Sequence, residues 1–200
     1  MRYLIISLCL LMIGCSSYPK KNNFVLDEIE SPKTLNPYFS DSIDYVYKAQ
    51  ISIMDNNFGG ILIIKKINNQ EHRVVLTTEM GNKLFDFSYI KDNFIVNSIL
   101  KEMDKKILIN LLKKDFKVLI EDDPIRINSF TNDADRIFQA EIYSKDYFYF
   151  FKGNSLEKII NTKNGKENTE FIFSEIDNDI AKNIQILHSK INLEITLIKI

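Results

Sequence analysis

Short segments in which apolar and polar residues alternate recur over most of the chain, and they restrict its fold more than any other feature. In the first of them Ala49, Ile51 and Ile53 alternate with polar residues, which is the period of a half-buried β-strand. Short runs of turn-forming residues, such as Asp55-Asn56-Asn57, separate the segments. Strands joined by such short turns predict an antiparallel meander. Its five strands begin near Tyr45 and continue through residues 58–67, 72–79, 83–89 and 94–99.

The period of the apolar residues changes between residues 104 and 120. Apolar side chains there recur at helical spacing, with lysines mostly on the opposite side, which predicts an amphipathic helix that stops before Pro124. Such a helix packs on the core, or closes a cavity as a lid, and the two roles are compatible. The apolar positions are Ile107, Leu108, Leu111, Leu112, Phe116 and Leu119.

Strand patterns resume after a polar stretch from Asn128 to Arg136. Asn164-Gly165 is a strong hairpin signal, and the adjacent Gly59-Gly60 predicts a bulge or a bend where the sheet curls. A large antiparallel sheet tends to curl because twist accumulates and open edges are a liability. The predicted fold is mainly β (α+β), a curved antiparallel half-barrel of about ten strands that wraps a central amphipathic helix. The later candidate strands are 137–143, 147–152, 156–161, 169–176, 184–188 and 191–200.

The first fourteen residues have the pattern of a secretory signal. Arg2 precedes a nearly unbroken apolar run from Tyr3 to Ile13, which is too short for a permanent transmembrane helix. Met12-Ile13-Gly14-Cys15 resembles the lipobox of bacterial lipoproteins, although Leu is the usual residue where Met12 stands. We therefore expect a signal peptide over residues 1–14 and lipidation of the Cys15 thiol. The alternative is an ordinary secretory signal with an incidental cysteine.

Lipidation of Cys15 would leave the mature chain without a free thiol, because Cys9 lies inside the signal. No disulfide, thiolate metal site or cysteine nucleophile then remains. Two or more acyl chains give stable membrane anchoring. Ser16 and Ser17 are not acidic, and in the best-known sorting system an Asp after the cysteine retains a lipoprotein at the inner membrane. We expect the outer membrane and its periplasmic face, with the inner membrane and the cell surface left open.

The mature chain is long enough for one domain. The net charge of -1 of the full sequence indicates no nucleic acid or other strongly charged partner. Residues 15–42 contain Pro19, Pro32 and Pro37 without sustained periodicity, so they are predicted to be the lipidated N-terminus and a tether. A short helix around Phe24 to Ile29 packed on the domain is the alternative. Residues 43–200 are the predicted domain.

The order of elements and two segments resemble the LolA/LolB-like lipoproteins. The segments are FGGILIIK at residues 58–65 and HRVVLTTEMGNKLFDF at residues 72–87, and Leu111-Leu112 and Asp115-Phe116 match the helical segment that follows. The resemblance covers about Tyr45 to Ile120. It implies a half-barrel whose apolar concave face binds acyl chains, in an outer-membrane protein that accepts other lipoproteins.

Members of this family that insert lipoproteins carry an exposed apolar residue on a loop between early strands. The turns Asp55-Asn56-Asn57 and Asn68-Asn69-Gln70 of this chain are polar, so no such residue is transferred to it. The expected function is binding of acyl chains, of lipoproteins or of phospholipid, in lipoprotein trafficking. The alternative is a non-catalytic envelope scaffold that binds a protein partner. Residues that would line an acyl cavity are not identified by the sequence.

No residue pattern of an enzyme or a cofactor site emerges, so no catalytic, cofactor or metal residue is assigned. His72 and His188 are interpreted as surface or hydrogen-bonded strand histidines rather than zinc ligands. Asp122-Asp123 and Asp177 to Asp179 lack the continuation of a calcium loop and are interpreted as solvated turns. No phosphate-binding, dinucleotide-binding or nucleophile-elbow motif is present.

A dense aromatic run, from Tyr143 and Tyr147 to Phe151, has two interpretations. The rings could contact a glycan or a membrane interface. The plainer interpretation is a strand that contributes to both faces of the sheet, with Phe148 and Phe150 on one face. Tyr147, Tyr149 and Phe151 then lie on the other face.

Overall fold

A computed structural model describes residues 17–133 and 135–200 of the chain. These residues form one antiparallel sheet and a 15-residue helix, α2, together with a shorter helix and a 3-10 helix. The helices are α1 (Tyr18–Lys21), the 3-10 helix (Pro37–Phe39) and α2 (Lys106–Ile120). The strands are β1 (Val25–Leu26), β2 (Asp44–Ile53), β3 (Asn56–Asn68), β4 (Glu71–Thr77), β5 (Lys83–Ile90), β6 (Asn93–Ile99), β7 (Ile125–Asn132), β8 (Asp135–Ile142), β9 (Lys145–Lys152), β10 (Ser155–Lys163), β11 (Lys166–Asp177), β12 (Ile180–His188) and β13 (Leu193–Lys199).

Two meanders make up the sheet. Strands β2 to β6 follow one another along the sheet, and strands β7 to β13 do the same on the other side of β2. The two halves join where β13 pairs with β2, from Leu193 opposite Ile53 to Lys199 opposite Tyr47. The order is β1-β7-β8-β9-β10-β11-β12-β13-β2-β3-β4-β5-β6, so the ends of this sheet do not pair with each other.

The sheet curls around α2. Tyr89 on β5 donates a hydrogen bond to the carbonyl of Lys113 at 3.0 Å, and His188 on β12 lies 2.9 Å from the carboxylate of Asp115. Five strand spacings separate β5 from β12, which would be about 24 Å in a flat sheet. A helix about 10–12 Å across, side chains included, reaches both strands only if the sheet is strongly curved. The predicted half-barrel with a central helix is therefore present.

The strand β9 is buried on both faces, as the aromatic run predicts. Tyr147, Tyr149 and Phe151 belong to the main core, whereas Phe148 and Phe150 belong to a second cluster on the opposite face. The second cluster is covered by Tyr18 of α1 and by Phe24, whose ring lies 5.8 Å from that of Phe150. We call residues 17–24 the N-terminal clamp, because they hold the start of the described chain on the outer face of the sheet.

The prediction of a tether over residues 15–42 is wrong for the part that the structure describes, residues 17–42. The N-terminal clamp packs on the outer face, and Leu35, Tyr38 and Phe39 are buried in the main core. The side-chain amide of Asn36 donates to the carbonyl of Leu119 at 2.8 Å and so joins this segment to the end of α2. The burial of large apolar side chains outweighs the entropy of a free linker. The alternative, a segment packed on the domain, is closer, although its helix lies at Tyr18–Lys21.

The sheet has thirteen strands rather than about ten. The polar stretch that begins at Asn128 covers the end of β7, a turn and the beginning of β8, and β1 pairs with β7 at the sheet edge. Gly59-Gly60 is not a bulge against β2, because β2 and β3 stay in register through both glycines. A Cβ atom on Gly60 would lie 1.9 Å from the carbonyl oxygen of Thr77, so the backbone crosses too closely for a side chain.

Candidate functional site

An apolar groove of about 310 Å³ lies beside the beginning of α2. Its walls come from the β2–β3 turn, from β3 and from the first turn of the helix. Met54 and Ile107, which both line it, are each 64% exposed. The groove is at the lower end of the size range of small-molecule sites. Its lining residues are Ile53, Met54, Asn56, Phe58, Glu102, Lys105, Lys106, Ile107 and Leu108.

The helix start that borders this groove is weakly stabilised. Lys105 is the N-cap residue of α2, and its side chain makes no capping hydrogen bond. The first turn contains no acidic residue, and Lys106 adds a second positive charge at the positive end of the helix dipole. The other end of α2 is held by buried Phe116, Leu119 and Ile120. The first turn of α2 therefore lacks the capping and charge stabilisation of a usual helix start, and it is held on the core by buried Leu108.

The concave face of the sheet is covered by the chain itself. Phe116 on α2 packs on Phe85 of β5, with the ring centroids 5.6 Å apart. Beyond the end of α2, Tyr38 of the 3-10 helix packs on Phe173, and Phe39 packs on Tyr45. In the described part of the chain, the face under α2 is therefore filled by the protein's own side chains.

His188 and Asp115 form a polar contact inside the core. The imidazole lies between Asp115 on α2 and the hydroxyl of Thr169, 3.2 Å away on β11. Both side chains of the pair are almost fully buried. Burial raises the pKa of Asp115, and the hydrogen bond from His188 opposes this rise. The hydrogen-bonded strand histidine predicted for His188 is present, whereas its partner on the helix was not foreseen.

His72 lies in a different place, on β4, and faces a cleft of about 380 Å³ near the end of α2. Burial and the nearby charge of Lys66 lower the pKa of His72 to about 4, although Asp122 acts in the opposite direction. The structure does not bring His72 and His188 to one site. Among residues 17–133 and 135–200 no three histidine, cysteine or carboxylate side chains are grouped as metal ligands would be.

The two acidic clusters form ion pairs at the ends of elements. Asp122 lies 3.0 Å from the ammonium group of Lys66, and Asp123 lies 2.5 Å from the guanidinium group of Arg126. In the second cluster Asp177 contacts Lys182 at 3.0 Å. Both clusters therefore contain carboxylates that pair with neighbouring cations.

Two methionines in the turns between early strands were missed by the sequence reasoning. Met54 follows β2, and Met80, which is 91% exposed, lies in the turn between β4 and β5. Because strands β2 to β5 form a meander, both turns lie at the same end of the sheet. Met80 stands alone between Glu79 and Gly81, and a single apolar residue within a turn is the signal that could have found it. Met54 directly follows Ile53, so it could be taken as part of the strand.

Cys15, the predicted lipidation site, lies outside the described residues, as does the predicted signal peptide over residues 1–14. Within the described ranges, no helix combines the length and the apolar character needed to cross a bilayer. The first described residue, Ser17, is exposed and directly precedes α1.

No family model matches the sequence, and the comparison with curated proteins gave no match. Among solved structures, the fold is similar to that of a LolA superfamily protein from Nitrosomonas europaea. The two chains share 8% sequence identity, and the TM-score is 0.50 over 83% of this chain and 87% of the other. The LolA-like fold expected from residues 58–87 and from the helix is therefore shown, at a level of similarity that concerns the fold alone.

Proposed function

We propose that this protein is a lipid-anchored envelope protein that binds acyl chains, with a role in moving lipoproteins to the outer membrane. The observation that carries the proposal is the apolar groove next to the uncapped first turn of α2, in a sheet with a LolA-like fold. Cys15 would carry the lipid, and the domain would face the periplasm. Its ligands would be the acyl chains of lipoproteins or of phospholipids.

The chemistry of the groove suits the end of an alkyl chain. Met54, Phe58 and Ile107 offer apolar surface to a ligand, and each methylene group that leaves water gains about 0.8 kcal/mol. Lys105 and Lys106 at the rim could meet a carboxylate or phosphate head group at the same time. Separation of the first turn of α2 would lengthen the groove toward the concave face.

The first test is organic extraction and mass spectrometry of the chain from Ser16 onward, followed by titration with a fluorescent fatty acid. Bound lipid at one molecule per protein, or saturable uptake of the probe, is the expected result. Ile107→Asn should weaken the binding of the probe at least fivefold, because it places an amide in the groove. Ile125→Asn is the matched control, since Ile125 is 72% exposed against 64% for Ile107 and lies outside the groove. A protein without lipid that takes up no probe would overturn acyl binding.

A second candidate function is a scaffold that binds another envelope protein. It is favoured by the filled concave face, where Phe116, Tyr38 and Phe39 occupy the space that a ligand would need. Depletion in cells separates the two functions. Other lipoproteins should accumulate at the inner membrane if this protein is a trafficking factor, and should keep their distribution if it is a scaffold.

The anchor is tested separately. Intact-mass measurement of the protein from membranes should give the mass of a chain that starts at Cys15 with two or three acyl groups. Cys15→Ala should abolish this modification. A chain that begins at another residue, or that carries no lipid, would refute the anchor and leave the test of acyl binding unaffected.

A further inference from the structure

One end of the domain carries an excess of positive charge. Exposed lysines lie in α1, in the β10–β11 hairpin and near the turns that lead into β9 and β13. None of them has a carboxylate within 4.0 Å among the described residues, whereas lysines elsewhere, such as Lys65, Lys66 and Lys182, are in ion pairs. We call this surface the basic end; it consists of Lys20, Lys21, Lys145, Lys163, Lys166 and Lys190.

These lysines belong to one continuous surface. The ammonium group of Lys21 donates to the carbonyl of Gly165 at 3.1 Å, which joins α1 to the β10–β11 hairpin. Lys145, Lys163 and Lys190 line a single cavity of about 280 Å³ at the same end of the strands. The acidic residues close to this surface are Asp146, Glu167 and Glu170, and two of them accept hydrogen bonds from neighbouring side chains.

The opposite end of the same strands has no such excess. Its turns and strand ends contain Asp133, Asp135, Asp177 and Asp179, together with the cations Arg136, Lys152 and Lys182. The nine residues of β10 separate the two ends by about 30 Å. The part of the domain formed by β9 to β12 is therefore polarised along its strands, with the positive end at the clamp. Beside it, Asp122, Asp123 and Glu141 make the corresponding end of β7 and β8 acidic.

The proposed anchor, Cys15, lies near the positive end of the strands. Cys15 is two residues before Ser17, and two residues span at most about 7 Å of extended chain. Tyr18 is fixed on the outer face by its contact with Phe148 and by a 2.7 Å hydrogen bond to Glu167. A lipid on Cys15 would consequently bring the head-group layer to the basic end and not to the far end.

We propose that the basic end rests on anionic phospholipid head groups, so that the clamp fixes the orientation of the domain on the membrane. This inference rests on the proposed anchor at Cys15. Each lysine near an anionic surface adds attraction that decays within a Debye length. The groove lies close to the basic end. The backbone N–H of Met54, in the groove lining, donates to the carbonyl of Asn192 at 2.8 Å, and Asn192 is two residues from Lys190. The mouth of the groove would then open close to the lipid surface.

The test uses the full-length lipoprotein in vesicles of two compositions, phosphatidylcholine alone and phosphatidylcholine with about 30% phosphatidylglycerol. This share is chosen to be about the anionic content of a bacterial membrane. In the mature chain the only cysteine carries lipid, so a newly introduced cysteine is the single site for a reporter dye. Lys166→Cys places the dye at the basic end, and Asn154→Cys places it at the far end as the control. Head-group quenchers should quench the dye at residue 166 at least threefold more than the dye at residue 154. The difference should require phosphatidylglycerol and should disappear in 0.5 M salt, where screening shortens the reach of charge to about 4 Å.

Charge reversal gives the matched variants. The difference in quenching should disappear in a triple variant of the basic end, Lys145→Glu, Lys163→Glu and Lys190→Glu. It should remain in a control triple variant at lysines that are also exposed, Lys33→Glu, Lys101→Glu and Lys152→Glu. Equal quenching at both positions, or quenching at residue 166 that ignores phosphatidylglycerol, would overturn the proposal. If intact mass shows no lipid on Cys15, sedimentation of the same two triple variants with these vesicles still tests the basic end. Failure of the anchor and failure of the basic end are thus distinguishable.

Discussion

His188 on β12 and Asp115 on α2 are joined across the core, with Nε2 of the imidazole 2.9 Å from Oδ2 of the carboxylate. This contact fixes the middle of the helix to the second half of the sheet. On the other side Tyr89 of β5 holds the carbonyl of Lys113. The helix therefore bridges two strands that are five positions apart, and both contacts can form only because the sheet is curved.

Loss of one partner of the buried pair should be costly. His188→Ala leaves the carboxyl of Asp115 buried without its imidazole, and we expect a decrease of about 3 kcal/mol in the free energy of unfolding. Urea denaturation measures it. Asp115→Ala combined with His188→Ala should cost less than the sum of the two single changes, because the contact is lost only once. Additive effects in this cycle would contradict a coupled pair.

Gly60 should not tolerate a side chain, and its neighbour should. A methyl group at Gly60 would lie 1.9 Å from the carbonyl oxygen of Thr77, so Gly60→Ala forces the backbone apart and should cost about 3 kcal/mol. At Gly59 the nearest atom is the flexible end of Gln50, 3.1 Å away, and Gly59→Ala should change stability by less than about 1 kcal/mol. Thermal unfolding of the two variants provides the comparison. Equal losses would show that the close crossing does not limit residue 60.

Local patterns predicted the elements whose structure is set by their own residues. The hairpin at Asn164-Gly165 has positive φ at both turn residues, as its sequence requires, and α2 ends at Ile120 as predicted. The two faces of β9 followed from strict alternation. In each case the signal lies within a few residues of the structure that it specifies.

The missed features depend on partners that are distant in sequence. β7 has a mostly exposed, polar edge, and its neighbour β1 is about a hundred residues away along the chain. Tyr38 and Phe39 are buried only because the sheet curves around them, so no periodic pattern in the sequence predicts their burial. The partner of His188 is 73 residues distant, and only the path of α2 across the sheet brings Asp115 to it.

Stability should fall at mildly acidic pH because of His72. Its pKa is about 4 in the folded protein and about 6.5 when unfolded, so the unfolded chain binds more protons between these values. The contribution of His72 is therefore intact at pH 7 and is lost as the pH falls through 6.5 toward 4. We expect a loss of about 2 kcal/mol between pH 7 and pH 5. Urea titrations at both pH values should show that His72→Gln removes this difference, and an unchanged difference in the variant would exclude His72 as its source.

The N-terminal clamp should open without unfolding the domain. Tyr18→Ala removes the ring that packs on Phe148, and trypsin should then cleave after Lys20 or Lys21 at least about tenfold faster, since opening would cost at least about 1.4 kcal/mol less. The melting temperature should change little, because the clamp lies on the outer face, away from the main core. Tyr18→Phe keeps the ring and loses only the hydrogen bond to Glu167, so it should show a much smaller increase. Cleavage rates that are the same in all three proteins would mean that the clamp is not held by Tyr18.

Stabilisation of the helix start should hinder acyl binding if the first turn of α2 has to separate from the sheet. Lys105→Asn supplies the missing N-cap and, like Lys105→Ala, removes the positive charge; relative to Lys105→Ala it should stabilise this turn by about 1 kcal/mol. We expect the binding of a fluorescent fatty acid to weaken about fivefold, which is the same energy expressed as an equilibrium constant. Lys105→Ala removes the lysine without providing a cap, so it reports the effect of the charge alone. If the two variants bind the probe equally well, the ligand enters the groove without any movement of α2.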